Sequence, residues 1–245
     1  MSSAQIIIMA AGRGNRMNSD LPKVMHKIGD STMLDIILFN SSKVTDDIIL
    51  VYSHSLIPYI AQYKIKKILQ DKPLGTAHAV YSALGEVDQQ KNVIVLCGDN
   101  PFIDNNIISQ MLSNHISNSY DISIMVFNKK NPKGYGRVVM DENNIVKNII
   151  ECKDASVEEQ KITLCNSGII IFSPMTLTRL LPDFIASGNN TSSEYYLTSL
   201  INIAYNKDLK NGCFVVSDDK IIGVNTQEEL AIANNYYAQA KQDAL

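Results

Sequence analysis

A predicted strand at residues 5–10, QIIIMA, is apolar from residue 6 onward and runs directly into a glycine-rich turn, and this combination restricts the possible folds more than any other part of the sequence. A second run of the same kind, NVIVLC, occupies residues 92–97. Strands that are hydrophobic on both sides need cover on both faces of their sheet, as in parallel α/β proteins. These two runs therefore predict a sheet with helices packed against both faces.

Strand and helix patterns alternate through the first half, as in right-handed βαβ units. The second half brings several strands in close succession, with Asn143 and Asn144 as a hairpin turn. We predict a Rossmann-like α/β fold, with a mixed, mostly parallel sheet flanked by helices. A polar loop at 185–193 is expected to act as a lid. Predicted strands are 5–10, 48–52, 65–69, 92–97, 121–127, 137–140, 145–150, 164–172, 214–216 and 221–224; predicted helices are 33–44, 76–84, 175–181, 195–205 and 227–241.

Charge and composition exclude several classes of partner. The 245-residue chain has a net charge of -3 and no basic face, so no nucleic acid partner is expected. No apolar run approaches the roughly 20 residues that span a bilayer, and no secretory signal precedes the first strand. The four cysteines are scattered without metal-ligand spacing. We read them as reduced thiols of a cytoplasmic protein.

The turn at residues 10–17, AAGRGNRM, is the strongest local signal for chemistry. Its glycines allow backbone N–H groups to approach a polyphosphate, while Arg13, Arg16 and the nearby Lys23 add positive charge. A dinucleotide-binding turn has a small residue where this chain has Met17, and no P-loop Gly-Lys-Ser/Thr follows. A turn without any ligand remains possible for the glycines alone, but the three cations favour phosphate.

Asp99 follows the strand at 92–97, at the edge where open α/β sheets bind ligands. Its carboxylate would suit Mg²⁺, which prefers oxygen ligands. The alternative is that Asp99 only caps a turn. The four histidines lack metal-ligand spacing, and we assign them no catalytic role.

Motifs along most of the chain resemble the bacterial N-acetylglucosamine-1-phosphate uridyltransferases, the N-terminal domains of a bifunctional enzyme that makes UDP-N-acetylglucosamine. The resemblance runs in order from residue 5 to about 230. Its most specific segments are GYGR at 134–137 and EYYLT at 194–198. The other matching segments are 10–17, 19–23, Gln70, LGTAHA at 74–79, Gly98 and Asp99 with Pro101, Glu151 with 153–155, Asn166 with Gly168, and GVN at 223–225.

This resemblance implies a nucleotide-diphospho-sugar transferase fold in a single domain, 1–245, with a nucleotide-binding half at 1–115 and a sugar-binding half at 116–230. It implies Mg²⁺-dependent transfer of a uridylyl group from UTP to N-acetylglucosamine-1-phosphate, with pyrophosphate as the second product. The attack is in line on the α-phosphorus and needs no general base. Charge neutralisation and alignment then carry the catalysis.

The resemblance also assigns roles to individual residues. Arg16 and Lys23 would be catalytic, and the Gln70 amide would offer a donor and an acceptor to uracil. The resemblance pairs Asp99 with the carbonyl oxygen of Asn225, expected just past the strand at 221–224, and these two residues would hold the metal. The nucleotide would be bound by Ala10, Ala11, Gly12, Gly14, Lys23, Gln70, Gly75 and Thr76, and the sugar by Gly136, Glu151, Asn166, Tyr196 and Thr198.

Three departures from the family pattern leave alternatives open. Asn15 stands at a usual threonine, Ser199 at a usual aspartate, and the hexapeptide repeats of the acetyltransferase half are absent. The chain is thus either a stand-alone uridyltransferase or part of a longer protein; acetyl transfer is not predicted, and a monomer or weak dimer is expected. The alternatives are a nucleotidyltransferase with another sugar phosphate or base, a binding protein that has lost turnover, and a Rossmann oxidoreductase, which the missing fingerprint disfavours.

Overall fold

The computed structural model describes residues 3–12, 14–132, 134–189 and 194–243. Arg13 and residues 190–193 of the proposed lid lie outside these ranges. The strands are β1 (Ala4–Ala10), β2 (Lys27–Ile28), β3 (Ser31–Thr32), β4 (Ile48–Tyr52), β5 (Lys66–Leu69), β6 (Asn92–Cys97), β7 (Ile122–Asn128), β8 (Arg137–Met140), β9 (Val146–Ile150), β10 (Leu164–Phe172) and β11 (Asn211–Val216). The helices are α1 (Met33–Ser42), α2 (Thr76–Ser82), α3 (Asn105–Ser117), α4 (Thr176–Ala186), α5 (Ser199–Tyr205) and α6 (Gln227–Asp243).

A single large sheet has the strand order β11-β7-β10-β6-β1-β4-β5, and β8 and β9 extend it from β10. The pairs β6-β1, β1-β4, β4-β5 and β7-β11 are parallel, whereas β10 runs antiparallel to both of its main neighbours. The predicted mixed, mostly parallel sheet with flanking helices is thereby confirmed. Strand β10 joins the first and second halves of the chain into one sheet.

Both faces of the sheet are buried, as the unbroken apolar strands predicted. Ile7 of β1 packs with helices α2, α4 and α5 on one face, and Ile6 and Ile8 pack with α1 and α3 on the other. Each of these isoleucines is fully buried, which contributes about 1.5–3 kcal/mol of hydrophobic stabilisation apiece. Helix α6 contributes Ala233 to a smaller third cluster with Ile28.

Side-chain caps set the start of two of these helices. Thr32 and Asp35 form a reciprocal capping box at α1. The Asp104 carboxylate accepts a hydrogen bond from Ile107 N at 2.9 Å at the start of α3. Helix α3 is absent from our sequence prediction, although this cap and its buried Ile108 and Met111 follow helical spacing.

Three predicted elements differ most from the structure, and several others differ by two or three residues at one end. Residues 221–224 are not a strand; they form a buried connection in which Val224 N donates to Asp99 O at 2.9 Å. The helix predicted at 195–205 begins only at Ser199, because Tyr195 pairs its backbone with the start of α2. Helix α4 continues through Pro182 to Ala186, whereas the prediction ended it at Leu181, because the buried side chains of Leu181 and Phe184 hold the later turns. In the parts of the chain that the structure describes, no helix is long and apolar enough to cross a membrane.

Candidate active site

The turn after β1 folds back on itself through Gly14, whose φ of 64° lies in the left-handed region. The following 3-10 turn, Asn15–Met17, buries the Met17 side chain completely. This burial explains the large apolar residue where a dinucleotide-binding turn has a small one. A Cβ atom on Gly14 would lie 2.9 Å from Lys23 Cβ. Glycine at this position therefore lets the turn pack closely against Lys23.

Four polar side chains from distant parts of the sequence meet at one point. Lys23 Nζ lies 2.7 Å from Asp99 Oδ2 and 3.0 Å from Asn225 Oδ1. Arg16 donates to the same Asn225 oxygen at 3.1 Å. The side chains of Lys23 and Asp99 are only 14% and 23% exposed, so salt screens their ion pair less than a surface pair. The predicted catalytic pair and the predicted metal pair thus share one contact network.

Backbone contacts hold Asp99 at the carboxyl end of β6. Gly98 N donates to the Met9 carbonyl of β1 at 2.9 Å. A Cβ atom on Gly98 would lie only 2.9 Å from that same oxygen, a distance that backbone oxygens do not tolerate. The connection at 221–224, predicted as a strand, reaches Asp99 instead through the Val224 hydrogen bond described above. Asn225 therefore follows a loop rather than a strand, yet still lies beside Asp99.

The start of α6 fixes the backbone around Asn225. The N–H groups of Asn225 and Thr226 donate to Glu229 Oε2 at 2.6 Å and 3.1 Å, and Thr226 Oγ1 accepts from Glu229 N at 3.2 Å. This is a Thr-x-x-Glu capping box. Gln227 Nε2 also donates to Met17 O at 2.8 Å. The cap and this bond tie Asn225 to the glycine-rich turn.

A cavity of about 580 Å³ opens beside the four-residue network. It lies at the carboxyl ends of β1 and β6, where open α/β sheets bind ligands. Of the residues predicted to bind nucleotide, all but Gly14 line this cavity. They are Ala10, Ala11, Gly12, Lys23, Gln70, Gly75 and Thr76, joined by Asp99 and Tyr196 from the other predicted sets.

Gln70 and the start of α2 form another part of the cavity wall. Gln70 is 5% exposed, and its Nε2 lies 3.2 Å from both Gly75 O and His78 Nδ1. The amide donor that we expected to face uracil is therefore already used within the protein. Thr76 Oγ1 accepts from Leu197 N at 2.9 Å, so its oxygen is engaged as well, although its O–H can still donate.

Gly75 allows the chain segment before α5 to dock on α2. Tyr195 N donates to Leu74 O and Ala77 N donates to Tyr195 O, each at 2.8 Å. Gly75 has φ 107°, and a Cβ atom there would lie 2.5 Å from Tyr195 O. This docking carries the adjacent Tyr196 side chain to the cavity wall.

The predicted sugar-binding residues Glu151 and Thr198 line a second cavity of about 560 Å³, between β9, α4 and α5. Thr198 Oγ1 donates to Glu151 Oε1 at 3.0 Å. Burial raises the pKa of Glu151, although this hydrogen bond favours its ionised form. Tyr196 lines both cavities, and its hydroxyl accepts from Lys153 Nζ at 2.8 Å. Tyr196 therefore stands between the two spaces.

The remaining sugar-side predictions, Gly136 and Asn166, lie beside each other but line neither cavity. Asn166 N donates to Gly136 O at 2.9 Å, and Asn166 Oδ1 accepts from Gly168 N at 3.0 Å. A register shift in the pairing of β10 with β7 falls at this point. The Asn166 side chain thus supports a bulge in its own strand, and its Nδ2 group is the part left for a ligand.

Two oxygens could hold a metal ion. Among the described residues, no three His, Cys, Asp or Glu side chains group closely enough to do so. Asp99 Oδ2 and Asn225 Oδ1 instead converge on the Lys23 ammonium, a cation, at 2.7 Å and 3.0 Å. Hard oxygen donors that already bind one cation fit a magnesium ion, which takes few ligands from protein.

Sequence reasoning missed several residues around the site. Glu229, which holds the backbone at Asn225, is recognisable from the Thr-x-x-Glu spacing that starts a helix. Lys153 and Glu194 fell within the motifs used above but received no role, and Glu194 lines the first cavity. His78 bonds to Gln70 and had no signal beyond its place in the LGTAHA segment.

Comparisons with known proteins identify the family of the chain and support its fold. Residues 6–156 match the family model described as a MobA-like NTP transferase domain. Relatives named bifunctional protein GlmU are similar over nearly the whole chain. One from Campylobacter jejuni is 35% identical over 239 residues, 94% of this chain and 53% of the relative. One from Clostridioides difficile is 36% identical over 231 residues, which are 93% of this chain and 50% of the relative.

The chain spans about half the length of the curated relatives that it matches. A solved structure from Bacillus anthracis, assigned as a glucose-1-phosphate thymidylyltransferase, superposes with a TM-score of 0.74 and 18% identity over 96% of this chain and 95% of that one. This likeness supports the fold. The bifunctional relatives confirm the resemblance that the motifs indicated. Because the family model covers more than half of the sequence, the chain belongs to the MobA-like NTP transferase domain family.

Proposed function

We propose that the chain transfers a uridylyl group from UTP to N-acetylglucosamine-1-phosphate, giving UDP-N-acetylglucosamine and pyrophosphate. The observation that carries this proposal is the convergence of Arg16, Lys23, Asp99 and Asn225 beside the 580 Å³ cavity. Two cations and two oxygen ligands at one point suit a triphosphate with a divalent ion. The sequence motifs supply the choice of uracil and of the amino sugar.

The reaction balances without a catalytic acid or base. An oxygen of the sugar phosphate attacks the α-phosphorus of UTP and forms the new P–O bond. The bond from the α-phosphorus to the bridging oxygen breaks, and pyrophosphate leaves with the electron pair. The attacking phosphate is already ionised near neutral pH, since its second pKa is about 6. The absence of a histidine or cysteine from the proposed machinery is therefore consistent with the chemistry.

Positive charge from Arg16 and Lys23 would stabilise the charge that develops on the phosphates. Lys23 is engaged with Asp99 and Asn225 in the free protein. Its flexible stem allows the ammonium group to turn from these oxygens towards a phosphate. Mg²⁺ held by Asp99 and Asn225 would supply further charge neutralisation at the phosphate oxygens.

We assign the first cavity to the nucleotide and the neighbouring region around Tyr196, Glu151 and Thr198 to the sugar. This division follows the nucleotide-binding half at 1–115 and the sugar-binding half at 116–230. Asn166 and Gly136 would join the sugar contacts from the β10 bulge. We further propose a monomer or weak dimer that works in the cytoplasm on these small molecules, with no nucleic acid or membrane partner.

A substrate panel tests the proposal. Purified protein with Mg²⁺ is given UTP or CTP together with N-acetylglucosamine-1-phosphate or glucose-1-phosphate, and nucleotide sugars are quantified by mass spectrometry. We expect the highest kcat/KM for UTP with the amino sugar. A higher value for another pair would replace the proposed substrates, and binding without any product would indicate a protein that has lost turnover.

Arg16→Ala tests the proposed machinery. Removing one group that stabilises developing charge lowers turnover by about 10²–10³-fold, while the exposed position of this side chain leaves the fold intact. Arg179→Ala, an exposed arginine on α4, is the matched control and should keep normal turnover. Near-normal turnover in Arg16→Ala would remove this residue from the mechanism.

A further inference from the structure

The side-chain amide of Gln70 is held in one orientation by two neighbours. Its backbone N–H continues the β4–β5 pairing by donating to Tyr52 O at 2.8 Å, which fixes the start of the side chain. Its Nε2 then lies 3.2 Å from Gly75 O and 3.2 Å from His78 Nδ1. A side-chain amide nitrogen carries two N–H donors, and these two contacts use both of them.

The contact with the Gly75 carbonyl identifies which end of the amide faces inward. A carbonyl oxygen can only accept a hydrogen bond, so the NH₂ group of Gln70 must face it. The carbonyl itself is fixed, because it also accepts from Ala79 N at 3.0 Å in the first turn of α2. The Tyr195 segment docks over the same turn, as described above.

The second N–H of Gln70 then points at His78 Nδ1. That nitrogen must act as an acceptor, which places the single proton of a neutral imidazole on Nε2. Burial lowers the pKa of His78, which favours the neutral ring. His78 does not itself line the nucleotide cavity.

The remaining atom of the amide, Gln70 Oε1, is left for the ligand. Within the described ranges no group donates a hydrogen bond to it, and it is not among the enclosed polar atoms that lack a partner. Since Gln70 lines the cavity, this acceptor opens towards the space assigned to the nucleotide. Uracil and thymine present an N–H at ring position 3, whereas cytosine presents an unprotonated nitrogen there.

We infer that His78 is a positioning residue for base selection: it holds Gln70 so that an acceptor faces the base, which favours keto pyrimidines over cytosine. This inference rests on the proposed function and adds to it the residue that sets the choice of base. Cytosine would face Gln70 Oε1 acceptor to acceptor, and an unpaired buried acceptor lowers affinity by about 10- to 100-fold.

The test compares His78→Leu, which removes the acceptor, with His78→Asn, which can keep an amide oxygen near the position of Nδ1. Equilibrium binding of UTP and of CTP is measured by calorimetry for each variant, alongside kcat/KM for both nucleotides. His54→Leu is the matched control, since His54 is an exposed residue paired with Asp71 on the surface.

We expect the UTP-to-CTP preference to fall by about 5- to 10-fold in His78→Leu, the effect of one lost hydrogen bond. The preference should stay within about twofold of the parent in His78→Asn and His54→Leu, less than the smallest change from losing such a bond. If His78→Leu weakens the binding of UTP and of CTP equally and leaves the preference unchanged, the inference is overturned and His78 has only a structural role. A parent protein that binds UTP selectively without turnover would refute the proposed function but not the role of His78 in base selection.

A second readout needs no substitution. Two-bond nitrogen–proton correlations of the ¹⁵N-labelled parent protein report which imidazole nitrogen carries the proton. The inference requires an unprotonated Nδ1 on His78 at neutral pH. A proton on Nδ1 would contradict it, because that nitrogen could then no longer accept from Gln70.

Discussion

Gly75→Ala should destabilise the protein and loosen the wall of the nucleotide cavity. The φ of 107° at this position is open to glycine and strained for alanine, which costs about 1–3 kcal/mol. The added Cβ would lie 2.5 Å from Tyr195 O and 2.7 Å from Tyr195 N. Tyr195 must therefore move away from α2. Its two backbone bonds, to Leu74 and Ala77, would be lost or weakened, at about 1 kcal/mol each.

These contributions sum to about 3–5 kcal/mol. For a chain of this size each kcal/mol lowers Tm by about 2–4 °C, so the expected loss is about 6–20 °C. Scanning calorimetry and urea unfolding would measure it. Turnover below the Tm should fall too, because the displaced segment carries Tyr196 and Thr198.

Two glycine controls separate clash from backbone strain. Gly85 has an ordinary φ and no atom within 4 Å of an added Cβ, so Gly85→Ala should change stability little. Gly188 has φ 68° but equally open surroundings. Gly188→Ala should therefore be destabilised only by backbone strain, by about 1–2 kcal/mol. A Gly75→Ala protein no less stable than Gly188→Ala would refute the close approach of Tyr195.

Three further substitutions test the charged groups. Glu151→Gln removes a carboxyl whose pKa is raised by burial, so folding favours the protonated form of this group. The stability of the parent relative to the variant should therefore be greatest below pH about 4.5, the ordinary pKa of the group, and should fall as the pH rises through the raised pKa. A stability difference that stays constant with pH would contradict this expectation. Asp99→Asn should lower turnover at saturating Mg²⁺ by about 10²-fold or more through loss of a charged ligand, whereas full recovery with added Mg²⁺ would mean that the carboxylate only aids metal affinity. Lys23→Met should let nucleotide-free protein bind Mn²⁺ about fivefold more tightly in calorimetry, because displacing the ammonium costs on the order of 1 kcal/mol; unchanged binding would argue against a shared site.

Much of the sheet was predictable because its strands carry their signal locally. The strands at 48–52 and 92–97 have the predicted bounds, since runs of buried β-branched residues suit parallel strands covered on both faces. The run at 221–224 is equally apolar but is a loop. Ile221 and Val224 are buried there, and four apolar residues cannot distinguish a strand from a buried connection.

Long-range pairing explains the helix that begins late. Residues 195–198 are predicted to begin a helix, yet Leu197 N donates to Thr76 Oγ1, 121 positions away in sequence. No local pattern records such a partner. Pro182 shows the opposite case, in which tertiary burial of Phe184 overrides a local helix-breaking signal.

The candidate site likewise contains features that the sequence predicts and features that depend on long-range contacts. The place of Asp99 follows from the rule that ligands bind at the carboxyl ends of parallel strands. Its contact with Asn225 could be drawn only from the family resemblance, since the expected strand before Asn225 does not exist. The use of the Gln70 donors by Gly75 and His78 depends on side-chain geometry, which spacing in the sequence does not encode.

The most direct test of the proposed uridylyl transfer is pyrophosphate release from the purified chain with UTP, N-acetylglucosamine-1-phosphate and Mg²⁺, and with each component left out in turn. We expect pyrophosphate release only when all three components are present, in amounts equal to the UDP-N-acetylglucosamine that is formed. Release without the sugar phosphate would indicate hydrolysis instead of transfer. No release from folded protein that still binds UTP would contradict the proposed function.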